Sequence, residues 1–186
     1  ERLARAWCET AAALSPSPRV LVWNWSWAWW KPNPEKKILS LLPKNAEPLL
    51  DWERGGVLKS PLGNLLVDEY SLGFTGPSPR FLRSYRTAQS LGLTVHAKLQ
   101  LGNTHELATV PNLPLLFNLC RKLDRIAELP GAGFMGTWLI GCEPSLNTAL
   151  HAFHRQCRPA HYSVSDFLDA FARFYFEVDD GRASVA

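Results

Sequence analysis

No run of about eighteen apolar residues occurs in the chain, which excludes a membrane-spanning helix. Cysteine is sparse and scattered: Cys8, Cys120, Cys142 and Cys157 stand far apart, with no CxxC pair. That favours reduced, mostly buried thiols over a disulfide framework, as in a cytoplasmic protein. Positive charge is also thin. The formal net charge is +3 and no Lys/Arg run forms a phosphate-tracking stripe, so no nucleic-acid partner is expected. GxGxxG, a phosphate loop and GxSxG are all absent, which removes the signatures of dinucleotide-binding sheets and of serine-hydrolase elbows. The chain opens at Glu1 without Met or a signal-like segment, so sequence upstream of it is expected.

What is present is ordinary globular composition: 186 residues, 46% hydrophobic and 20% charged, enough for one substantial core. Eight Trp and fourteen Pro are the anomalies, and five of the Trp fall between Trp23 and Trp30. The organising stretch is Leu93 to Glu106, LTVHAKLQLGNTHE. It alternates as a strand does, with Leu93, Val95, Ala97 and Leu99 on one face and Thr94, His96, Lys98 and Gln100 on the other. It then breaks at Gly102-Asn103 into a polar loop holding His105 and Glu106.

The rest of the chain repeats a strand-then-helix pattern. Arg2 to Leu14 reads as a helix with Leu3, Ala6, Trp7, Thr10 and Leu14 at helical spacing, stopped by Ser15 to Pro18. Arg19 to Trp30 reads as a strand that sets Trp23, Trp25, Trp27 and Trp29 on one face and Asn24, Ser26 and Ala28 on the other. A helix follows from about Glu35 to Leu42, and a strand from Glu47 to Arg54. Asn64 to Leu72 is predicted as a returning strand on a rim excursion. Helices are predicted from Ser78-Pro79 to Gly92, over 115–129, over 144–156 and over 163–176, with a strand over 134–141.

Such alternation implies an α/β fold of parallel (βα) repeats. Complete (β/α)8 TIM barrels take about 250 residues, so the expectation is the C-terminal half of one. Residues 1–160 would form the partial barrel and 161–186 a trailing helix and tail. The strands near 19–30, 47–54, 93–100 and 134–141 should be parallel neighbours with helices on one face. A half-barrel leaves its edges and inner face uncovered, so its partner is expected to be the missing N-terminal half-barrel or a second copy.

Several segments carry a family resemblance: WNW (Trp23 to Trp25), DWERGG (Asp51 to Gly56), DEYSLGFTGPSPRF (Asp68 to Phe81), HAKLQLGNTHELATVPNLP (His96 to Pro114), GFMGTWLIGCEPSLN (Gly133 to Asn147) and SVSDFLDAFARFYF (Ser163 to Phe176). Through them the chain resembles the C-terminal half of a bacterial glycoside-hydrolase-like TIM-barrel protein. The resemblance implies a carbohydrate substrate and hydrolysis of a glycosidic bond. His105 departs from it, standing where a Trp is expected before the Glu.

Glycoside hydrolysis needs two carboxyl groups across the scissile bond. Glu106 is preferred because it lies in the loop after the central strand. Asp68 and Glu69 look like the adjacent pair of hexosaminidase-type barrels, in which the Asp orients a substrate amide and the Glu is the acid; a hydrated rim hairpin is the alternative. Catalytic candidates are therefore Glu69, Glu106 and Asp68. Strand-end and stacking positions give the substrate-binding candidates Asn24, Trp29, Asp51, Glu53, His96, Lys98, His105 and Trp138. His151, His154, Cys157 and His161 lack tight zinc spacing and read as a solvated helix face, so no metal and no cofactor are expected. Two further classes stay open: a non-catalytic carbohydrate-binding barrel, and a lyase using His96 and Lys98.

Overall fold

The computed structural model describes residues 2–30, 33–102, 113–131, 133–137 and 145–179. Helix α1 (Arg2–Leu14) leads into strand β1 (Val20–Trp23), and a short 3-10 helix (Trp25–Trp29) precedes helix α2 (Glu35–Leu41). Strand β2 (Ala46–Asp51) is followed by a hairpin of β3 (Val57–Ser60) and β4 (Gly63–Leu66), then helix α3 (Pro79–Ser90). Strand β5 (His96–Gln100), helix α4 (Leu116–Ala127), strand β6 (Gly133–Thr137), and helices α5 (Leu146–Cys157) and α6 (Val164–Phe176) complete the order.

β1, β2, β5 and β6 form one sheet in that order, and every pair is parallel. The described part is thus a mixed α/β fold, a curled half-barrel of four parallel strands with six helices. The four expected strands are parallel neighbours, and the β3–β4 hairpin is the rim excursion, standing apart from the main sheet.

Period-two alternation divides the sheet into two faces. Ala46 and Leu50 of β2 and Ala97 and Leu99 of β5 join the core with Leu39 of α2, Phe81 and Ala88 of α3, Leu119 and Leu123 of α4, and Phe167 and Phe171 of α6. Phe81 is fully buried against Trp52, ring centroids 4.8 Å apart. Burying such a side chain stabilises by roughly 1.5–3 kcal/mol. The opposite, concave face carries His96, Lys98 and Gln100, with Asp51 in register beside Lys98. α6 is continuous with this core and packs on α4 and α5.

Local chemistry explains the helix ends. Ser78 caps α3 by accepting from the Phe81 amide at 3.1 Å, Pro79 takes the first helical position, and Gly92 at φ +71° follows the last turn. Ser145 and Ser163 cap α5 and α6 in the same way. Gly76, at φ +65°, lies under Trp52: a Cβ there would stand 2.1 Å from the indole nitrogen, so only glycine lets the loop close over this ring.

Three expectations are corrected. The strand of Arg19 to Trp30 ends at Trp23, because Asn24 turns the chain: its amide donates to Leu49 O at 3.0 Å, and its own carbonyl accepts from Trp27 N at 3.1 Å. The tryptophans therefore do not share a face; Trp27 enters the core while Trp29 and Trp30 are exposed. The strand over 64–72 stops at Leu66, so Asp68 and Glu69 lie in a bend rather than on opposite faces of a strand. α1 buries Cys8 and exposes Leu3, Trp7 and Leu14, the side expected to pack. No described helix is long and apolar enough to cross a membrane.

Candidate functional site

Polar side chains concentrate at the carboxyl ends of the strands. Asn24, just past β1, accepts from the Asp51 amide through Oδ1 at 2.9 Å and donates to Glu35 Oε1 at 2.5 Å. Trp23 Nε1 donates to Asp51 Oδ1 at 2.7 Å. The Arg80 guanidinium, from the first turn of α3, donates to both Glu35 oxygens at 3.2 Å, to Asp51 Oδ2 at 3.4 Å and to the Asn24 carbonyl at 3.2 Å. Asn24, Glu35, Asp51 and Arg80 are all buried. Burial pushes the Asp51 pKa up, against the Trp23 hydrogen bond and the charges of Arg80, Lys98 and Arg54.

A second network adjoins the first. Glu53 Oε1 accepts from the Gln100 amide at 2.9 Å and from Lys122 Nζ at 2.7 Å. Lys122 also donates to the carbonyls of Ser71, at 2.8 Å, and Gln100, at 3.3 Å. The Lys98 ammonium lies over the Tyr70 ring, 3.1 Å from its centroid, and 5.5 Å from that of Trp23. Burial lowers the Lys98 pKa from 10.5 to about 8; Glu53, Asp51 and Glu69 oppose that shift and Lys122 adds to it. A lysine so placed exchanges a proton near neutral pH far more readily than a surface lysine. Gln100 is fully buried, and neither its side-chain oxygen nor its nitrogen has a hydrogen-bond partner among the described residues. The same holds for Glu53 Oε2.

Asn24, Asp51, Glu53 and Lys98 therefore meet at one end of the sheet. Glu69, half-buried, is close enough to act on the charge of Lys98, whereas Asp68 is exposed. Trp29 is exposed and packs edge-on against Trp25, centroids 4.3 Å apart. His96 is a correction. It begins β5 rather than ending it, and it pairs with Glu47 at 2.6 Å beside Arg19, at the amino end of the strands. A groove of about 400 Å³ opens at that end, lined in part by Arg19, Leu21, Leu49, His96 and Met135. Glu106, His105 and Trp138 lie outside the described residues.

Sequence reasoning missed Glu35, Tyr70, Arg80 and Lys122, and placed Gln100 on the polar face of the central strand without giving it a role. Two of these carried a signal. Arg80 puts a cation in the first turn of a helix, where the dipole disfavours it unless acids are near. Lys122 interrupts the apolar stripe of α4, between Leu119 and Leu123. Compared with protein-family models, curated proteins and solved structures, the chain matches none.

Proposed function

We propose that the carboxyl end of the half-barrel is a carbohydrate site and that the protein is a glycoside hydrolase working through paired carboxylates without a cofactor. The observation that carries this reading is the Gln100 side chain, buried with both polar atoms unpartnered among the described residues, on the face shared with Lys98. Leaving such groups unpaired costs about 1–3 kcal/mol each. A polyhydroxylated ligand offers a donor and an acceptor together. Half-buried Trp23 and exposed Trp29 at the rim supply surfaces on which sugar rings stack.

In this reading Glu69 and Glu106 are the working carboxyls, Asp68 orients the substrate, and Lys98 sets the protonation of its acidic neighbours. Asn24, Asp51, Glu53, His105 and Trp138 complete the substrate contacts. The four strands are half of an eight-stranded barrel whose other half covers the concave face, and the free thiols of Cys8, Cys120 and Cys157 fit a reducing, cytoplasmic setting. A second reading, a sugar-binding barrel without turnover, is favoured by one observation. Asp51 and Glu53 are both already committed to ion pairs, with Arg80 and Lys122.

The test uses full-length protein, a panel of aryl glycosides and calorimetric sugar binding. Glu69→Gln and Glu106→Gln should each lower turnover by about 10²- to 10⁴-fold while sugar still binds. Turnover unchanged in both variants would refute the assignment of these carboxylates. Sugar binding by the wild type without turnover of any glycoside would leave the binding-barrel reading. If Gln100→Leu binds each sugar as tightly as the wild type, the site itself is misplaced.

A further inference from the structure

A second cluster of reactive side chains lies on the far side of the sheet, where α4, α5 and the segment before α6 meet. Cys120 and Asp124 are one helical turn apart on α4, so they share a face. His154 comes from α5, and one ligand atom from each of the three side chains, the Cys Sγ, a carboxylate oxygen and an imidazole nitrogen, lies within 4.8 Å of the others. Tyr162 Oη stands among them, 3.5 Å from Cys120 Sγ and 3.3 Å from His154 Nε2, and donates to Asp124 Oδ1. His154 Nε2 is 2.8 Å from the same oxygen, and Arg158 Nε donates to it at 2.8 Å from the outer side.

We infer that Cys120, Asp124 and His154 form a binding site for a divalent zinc-like ion, with Tyr162 Oη or a water as the fourth donor. The donor set is the one zinc takes: a thiolate, an imidazole nitrogen and a carboxylate oxygen. Metal–ligand bonds of about 2.0–2.3 Å put tetrahedral donor atoms about 3.3–3.8 Å apart. The Tyr162 spacings of 3.3 Å to His154 and 3.5 Å to Cys120 lie within that range, the His154–Asp124 pair at 2.8 Å has to open by about half an ångström, and the Cys120 pairs, within 4.8 Å, have to close. Charge balances as well. A divalent ion with one thiolate and one carboxylate is neutral, which suits a place where Cys120 and His154 are buried. Arg158, partly exposed, stays on the outer side of the carboxylate.

The alternative is a hydrogen-bonded cluster in which Asp124 Oδ1 serves three donors at once. Binding of the ion replaces the thiol proton of Cys120, which passes to solvent, leaves the His154 ring proton on Nδ1 so that Nε2 faces the metal, and frees Asp124 from the Tyr162 and His154 bonds. Because the thiol must give up its proton to bind, metal affinity should climb with pH. The role is structural: the ion would tie α4 to α5, well away from the carbohydrate end of the strands.

The test is titration of the whole protein with Co²⁺, read by thiolate-to-metal charge transfer in the near ultraviolet. One ion per chain should produce the band, and excess Zn²⁺ should erase it. The decisive variant replaces Cys8, Cys142 and Cys157 with alanine and keeps Cys120. A band retained there, and lost on further change to Cys120→Ser with at least about tenfold weaker binding, supports the site. No band from folded wild-type protein, or a band that disappears from the Cys120-only variant while it remains folded, overturns it. A thermal midpoint that fails to rise with Zn²⁺, or that chelator does not return, also overturns it.

Discussion

Glu47 and Glu53 sit near opposite ends of β2, and each is held by a cation in a different solvent. Glu47 meets Arg19 at 2.8 Å and His96 at 2.6 Å, with the Arg19 side chain 65% exposed. Glu53 meets Lys122 at 2.7 Å with both side chains fully buried. Distance hardly separates the pairs; desolvation does. Near water the attraction is screened and worth little. Inside the protein each charge has given up hydration, so the pair is less a source of stability than a liability if broken.

The sharpest way to break this contrast is Lys122→Met. It leaves Glu53 buried without its cation and should cost about 3–5 kcal/mol in urea unfolding, with Lys122→Met/Glu53→Gln recovering much of the loss. A cost near that of a surface pair would erase the distinction. Next in size is Lys98→Met. Because the folded pKa is depressed, the stability linked to neutral Lys98 is full above 10.5 and lost as pH falls to about 8. The variant should thus be as stable as the wild type or more so at pH 7, by up to about 3 kcal/mol, and the advantage should fade between pH 8 and 10.5. Under the proposed carbohydrate reading, sugar binding should weaken all the same. A stable variant with undiminished binding would show Lys98 to be filler.

The smallest effect belongs to Glu47→Gln, within about 1 kcal/mol at pH 7. The Arg19 and His96 hydrogen bonds hold the Glu47 pKa down against partial burial. Its contribution is therefore present above the ordinary carboxylate range and lost as pH falls through the lowered pKa. A thermal midpoint measured from pH 7 to pH 3 checks it: wild type and variant should converge at the acid end.

Much of the scaffold was legible because it rests on local rules. The caps at Ser78 and Ser163, the Gly92 stop and the stripe of α4 each identify a boundary from a few adjacent residues. The Trp-rich stretch was not, since alternation continues on paper whether or not the backbone is extended. There, Asn24 decided the matter by bonding to β2, a contact far along the chain. His96 was misplaced for a related reason: alternation gives a residue its face but not its height, and only pairing of β5 with β2 fixes where the strand begins. Arg80 and Lys122 show the opposite case, in which a charge at odds with its local position announced a distant partner.

The strand order has a consequence for how the molecule forms. Among the described residues, each strand of the main sheet pairs with the strands of that sheet laid down just before and after it. Parallel sheets are slow to nucleate when their loops are long, and here the longest interval, between β2 and β5, is shortened by the β3–β4 hairpin that brings its ends together. Assembly can therefore proceed unit by unit from either side, each βα turn docking on the one already in place. Among the described strands, β1 and β6 stand at the two edges of the sheet, and each has one neighbour to template its register.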